Sequence, residues 1–156
     1  MFETHTETLS VWVALAAVSA AVLGVVGELP STAPPDAAAT AATVDEVATS
    51  PPGSVATREL TAADDWMLTR RQVGLRSDGG TAHATFLRSV VPAIEGRLAA
   101  ALDGRRPSRL FGSPSGFRRA VERAEAAATA GEWRPAPERM TVRRVAWGGV
   151  DVTLVG

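Results

Sequence analysis

Arginine is the residue type in this chain with the most chemistry to offer. All 16 basic residues are arginine, and eight of them fall in the doublets Arg70/Arg71, Arg105/Arg106, Arg118/Arg119 and Arg143/Arg144. A guanidinium presents a rigid fork of donors that matches a carboxylate or a phosphate. A face gathering several of them would hold an anion, and Arg118, Arg119, Arg143 and Arg144 form the candidate anion-binding surface. Nucleic acid is not the expected partner, because the doublets alternate with acidic residues and lack the interleaved aromatics on which bases stack. A solvated mixed-charge face accounts for the same pattern without any ligand.

Other chemistry finds no constellation. The two histidines are His5, ahead of a long apolar run, and His83, so no histidine metal cluster can assemble within the folded part. His83 falls on an alternating segment and reads as a solvent-face or partly buried side chain. The absence of cysteine excludes disulfides, thiolate zinc sites and cysteine nucleophiles. "SPSG" at Ser113 lacks the Gly-x-Ser-x-Gly pattern of a nucleophile elbow and reads as a helix start with Pro114 in the first turn. "SDGG" lacks the Gly-Lys-Ser/Thr of a phosphate cradle. Asp64 and Asp65 would point to opposite faces of a strand, which suits them poorly to paired acid–base work. The expectation is a protein that is not an enzyme, with no catalytic residue, no cofactor, no metal site and no identifiable small-molecule substrate.

Among the elements that must carry these residues, the first is the uncharged run of 20 residues from Thr8 to Gly27. As a helix it would be about 30 Å long, the hydrocarbon thickness of a bilayer. Its nine Leu and Val residues favour insertion, and Trp12 stands where an interfacial aromatic is expected. The preceding "MFETHTET" carries Glu3 and Glu7 but no basic residue, unlike the n-region of a secretory signal, so a retained anchor is expected. Ala16, Ala20, Gly24 and Gly27 form a smooth stripe on this helix and are the candidate helix–helix contact. Arg58 is too distant for the positive-inside rule to set orientation.

Charge then divides the chain: residues 1–57 hold six acids and no Arg, whereas residues 58–156 hold every Arg against 11 acids. After the prolines of "LPSTAPP", Asp36 should cap a short helix with Val44 and Val47 on one side, stopped by Pro51, Pro52 and Gly53. "VATREL" reads as a strand. "RRQVGLR" and "TAHATFL" read as a hairpin about "SDGG", with Val73, Leu75, Ala82, Ala84 and Phe86 turned inward. Ile94, Leu98 and Leu102 mark a helix. Ser113 or Ser115 caps another, with Phe117, Ala120, Val121 and Ala124 inward, an Arg118–Glu122 pair on the wet side and Gly131 at its close. "MTVRRVAWGGVDVTLVG" predicts a second hairpin turning at Gly148 and Gly149. Met140 and Val142 are out of phase with Val145 and Trp147, which predicts a bulge near Arg143 and Arg144.

The fold class expected is α+β: an N-terminal transmembrane helix followed by a small domain with an antiparallel sheet of two hairpins and two helices. Its parts are a tail (1–8), the transmembrane helix (9–27), a Pro/Ala-rich linker with a short helix (28–54) and the α+β domain (55–156).

The segments "VWVALAAVSAAVLGVVG", "ATVDEVATSPPGSV", "RQVGLRSDGGTAHATF", "FRRAVERA" and "WGGVDVTLVG" resemble a family of small single-pass membrane proteins of haloarchaea with no assigned activity, several encoded beside type IV pilus-like assembly genes. The resemblance covers most of the chain. It implies a pilin-like architecture in the cell membrane, with the C-terminal domain extracytoplasmic and other membrane or pilus-like subunits as partners. The function expected is a membrane-anchored structural or interaction protein, accessory to a pilus or secretion-type assembly. The alternative is a membrane-tethered binding module that uses its Arg-rich surface for an anionic ligand.

Overall fold

Asp36 opens the first element of the computed structural model, which describes residues 32–128 and 130–156. Its carboxylate accepts a hydrogen bond from the Ala39 backbone N–H at 2.8 Å and caps helix α1, Ala37–Thr49. The buried Thr40 hydroxyl donates to the Asp36 carbonyl at 2.9 Å, so its polar atom is satisfied within the helix. Ala37, Ala41, Val44 and Val47 are buried, a face of small residues that lets the helix lie close against its neighbours. This helix was expected inside a linker. It is packed instead into the compact unit that runs from Ala33 to Gly156. The apolar run and the stripe Ala16, Ala20, Gly24 and Gly27 lie outside the described residues.

The strands are β1 (Val55–Glu59), β2 (Asp65–Leu68), β3 (Gln72–Ser77), β4 (Gly80–Thr85), β5 (Val91–Pro92), β6 (Trp133–Pro135), β7 (Arg139–Trp147) and β8 (Val150–Val155). Between β5 and β6 come α2 (Gly96–Leu102), α3 (Pro107–Leu110) and α4 (Pro114–Ala127). The architecture is α+β, with four helices among the described residues and two four-stranded sheets where one was expected. The first sheet has the order β1-β7-β8-β5 and the second β4-β3-β2-β6. Every pairing is antiparallel except β5 with β8.

Both expected hairpins are present. β3 and β4 pair from Gln72↔Thr85 to Ser77↔Gly80, leaving Asp78 and Gly79 as the turn. Val73, Leu75 and Phe86 are buried as their spacing predicts. β7 and β8 turn at Gly148 and Gly149, both with positive φ, the backbone that a tight two-residue hairpin requires.

The predicted bulge is absent. The β7–β8 register runs unbroken from Val142↔Val155 to Trp147↔Val150. The apolar phase changes because β7 is covered on both faces. Met140 and Val142 enter one core, with α1, Val73, Leu75 and Phe86. Val145 enters a second core with Leu98, Leu102, Phe117 and Val121, and Trp147 packs against that cluster. β8 divides in the same way, with Val155 in the first core and Val150 and Leu154 in the second.

Two helix bounds also differ from expectation. Ile94 precedes α2 and is 41% exposed, while Leu98 and Leu102 are buried as predicted. α4 ends at Ala127 rather than at Gly131. Gly131 has φ +54°, and a Cβ there would come within 2.8 Å of the Met67 sulfur, so this glycine serves the entry to β6.

Candidate functional site

The surface feature with the most chemical potential is a cleft of about 1310 Å³ between α4, the inner face of the second sheet and the connection from β5 to α2. Typical small-molecule sites hold about 300–1,000 Å³. Each wall follows from local structure. Ser113 caps α4 by accepting from the Gly116 N–H at 3.2 Å. The helix buries Phe117 and Val121 and turns Arg119 and Arg123, one turn apart, toward the cleft beside Ala120, Ala124 and Ala127. Alternation along β2 sends Trp66 and Leu68 inward, away from Met67. Because Trp66 pairs with Arg134 across the β2–β6 ladder, Arg134 shares that face and also reaches the cleft. Ile94, Glu95 and Arg97 come from the residues around the start of α2, whose Gly96 has φ +72°.

Four arginines against two glutamates, Glu95 and Glu132, give the lining a net charge of +2. The arginines are not equivalent. Arg134 is ion-paired with Glu132 at 2.8 Å. Arg123 donates from Nε to the Arg119 carbonyl at 3.2 Å, which turns its guanidinium back along the helix toward Arg119. The guanidiniums of Arg97 and Arg119 have no hydrogen-bond or ion-pair partner among the described residues. Trp66 and Phe111 line the cleft but are only 3% and 4% exposed, so neither ring offers an open face.

The four arginines singled out in the sequence do not form one surface. Arg119 is in the cleft. Arg118 is exposed on the same helix but outside the lining. Arg143 and Arg144 leave opposite faces of β7, as adjacent strand residues must. Arg143 donates to the Leu102 carbonyl at 2.6 Å. Arg144 donates to the Ser50 carbonyl and forms a two-point pair with Asp151 at 3.0 and 2.7 Å. That hydrogen bond holds the Asp151 carboxyl below its ordinary range and raises the Arg144 guanidinium above its own. Of the other doublets, Arg70 pairs with Glu125 at 3.8 Å, and Arg105 and Arg106 are exposed before α3.

His83 lies on the outer face of the second sheet, its ring 5.8 Å from that of Trp133, edge to face. The Arg76 guanidinium sits 4.1 Å above the same indole. Asp65 pairs with Arg76 at 3.9 Å. Among the described residues no three His, Asp or Glu side chains are grouped to hold a metal ion, and no helix is long and apolar enough to cross a membrane.

The family model for DUF7283, described as a family of unknown function, matches residues 3–145. The chain belongs to this family. The DUF7283 match takes in every cleft residue and ends within β7, so the rest of that strand and β8 lie past it. No curated protein and no solved structure matches the chain.

Proposed function

We propose that this DUF7283 protein is a membrane-tethered binding module that takes an anionic ligand in the cleft between α4 and the second sheet. The observation that carries the reading is the gathering of Arg97, Arg119, Arg123 and Arg134 around one large concavity, with the guanidiniums of Arg97 and Arg119 unpartnered among the described residues. Guanidinium donors aimed into a recess with low-dielectric walls bind anions more strongly than the same groups on an open face. The tether is the uncharged run from Thr8 to Gly27, whose composition suits a bilayer crossing.

Reversing the charge at Arg119 should abolish binding of a small polyanion such as pyrophosphate by the full chain, whereas the same reversal at Arg118 should leave most of it. The two residues are neighbours on one helix, so the comparison separates the cleft from net charge. Equal loss in Arg118→Glu and Arg119→Glu, or no loss in either, would sink the proposal. Affinity should fall with rising salt in the parent chain.

A second reading, a membrane-anchored structural subunit accessory to a pilus-like or secretion-type assembly with an extracytoplasmic domain, rests on the small-residue stripe Ala16, Ala20, Gly24 and Gly27. It predicts co-isolation with other membrane subunits. The absence of native cysteine makes topology accessible through Thr6→Cys and Ser77→Cys, each labelled singly with a membrane-impermeant maleimide on intact cells. Labelling of Thr6→Cys alone would place the domain on the cytoplasmic side and sink the pilin-like reading.

A further inference from the structure

The chemistry of the cleft wall narrows its ligand. Of the described side chains that line it, the charged ones are Arg and Glu, and the hydroxyl-bearing one is Ser113. The Ser113 hydroxyl is already engaged by the Gly116 N–H and by the Ser115 hydroxyl, at 3.2 and 2.9 Å. Among the described residues no Asn, Gln, Thr or His lines the recess to read a sugar hydroxyl or the edge of a base. Trp66 and Phe111 have their ring faces covered, so a nucleobase would find no stacking platform. Between the charges the wall is aliphatic: Ala120, Ala124 and Ala127 along α4, facing Leu68, Ile94 and Leu98. Ile94 is exposed at 41% and belongs to no helix or strand, so its apolar surface lies open where a ligand could cover it.

Resting on the anion-binding reading above, we infer that the ligand is an amphiphilic anion: a phosphate or carboxylate head held by Arg119 and Arg123, with an aliphatic portion lying over the alanine face of α4. The head supplies the acceptors that the Arg119 guanidinium and the terminal nitrogens of Arg123 lack. The tail removes aliphatic wall from water, and the described lining offers sugars and bases no uncommitted neutral polar side chain.

The test uses the full chain in nanodiscs of zwitterionic lipid, titrated calorimetrically with inorganic phosphate, then hexyl, octyl and decyl phosphate, and with octyl glucoside as the uncharged amphiphile. An Arg119→Glu/Arg123→Glu chain prepared identically supplies the baseline, so that partition into the disc cancels. Affinity above that baseline should rise with chain length, up to about fourfold per added methylene until the cleft is filled, and octyl glucoside should show none. Ala127→Trp, at an exposed cleft position, should flatten the length dependence of the alkyl phosphates.

Inorganic phosphate binding as tightly as decyl phosphate would overturn the amphiphile inference and leave the anion site standing. Octyl glucoside matching octyl phosphate, or no difference from the double variant with any anion, would overturn both. Replacing part of the disc lipid with an anionic phospholipid distinguishes the source. Competition with octyl phosphate identifies the bilayer as the supplier, and its absence identifies a free amphiphile; each outcome upholds the cleft chemistry.

Discussion

Arg118 and Arg119 carry the same charge one residue apart, and the helix separates them by about 100° so that only Arg119 meets the cleft. Arg143 and Arg144 diverge further, because a strand sends neighbours to opposite faces. The doublets were therefore legible as charge but not as a surface. Trp66, Arg97 and Arg134 carried no signal in the sequence, since they meet Arg119 only through strand parity, ladder register and the placement of α2 beside α4. Arg144 illustrates the opposite outcome, a site candidate that serves the fold by tying β7 to β8 and to the end of α1. Asp151 has its carboxyl lowered by that hydrogen bond, so its contribution is present above the unfolded carboxylate range and is lost as pH falls through the lower folded value. Asp151→Asn should therefore be less stable than the parent at about pH 7, with a narrower gap at about pH 3. Urea denaturation at the two pH values checks this. A gap independent of pH would assign the loss to packing instead. Asp151 is substantially exposed, which keeps the effect small.

At the scale of elements, local patterns served well where they had a local cause. The Asp36 cap, the stop at Pro51 and the turn at Gly148 and Gly149 follow from capping and backbone conformation, which neighbouring residues decide. The predicted bulge failed for a reason of another kind. A phase change in apolar residues is also produced by a straight strand whose covered face switches, and β7 is such a strand. Gly148 joins the two levels: it has φ +58°, and a Cβ there would collide with the Pro114 ring at the start of α4. Gly148→Ala should thus cost about 1–2 kcal/mol from conformation alone, with more from the collision. Gly149, also at positive φ, faces open space. Gly149→Ala should show only the conformational part. Paired thermal melts measure the difference, and equal losses would mean that the turn and α4 are not packed as described.

For the whole molecule, two cores share the strands β7 and β8, so neither can melt while the other keeps its walls. Phe86→Ala in the first core and Phe117→Ala in the second should each cost about 3–5 kcal/mol. Each should lower the midpoint of a single cooperative transition. Two separated transitions by circular dichroism and Trp fluorescence would show that the cores are independent. The partition between sequence and tertiary structure follows the range of the forces involved. Composition and periodicity by themselves determined the α+β class, the helix α1, both hairpins and the inward faces of Val73, Leu75, Phe117 and Val121, because each depends on residues within a few positions of one another. The tertiary structure alone decided that there are two sheets, that β1 pairs with β7 and β6 with β2, and that Arg97, Arg119, Arg123 and Arg134 surround one cleft. Those arrangements close loops of tens of residues and are selected by the burial of both faces of the shared strands, a free energy that no single stretch of sequence carries.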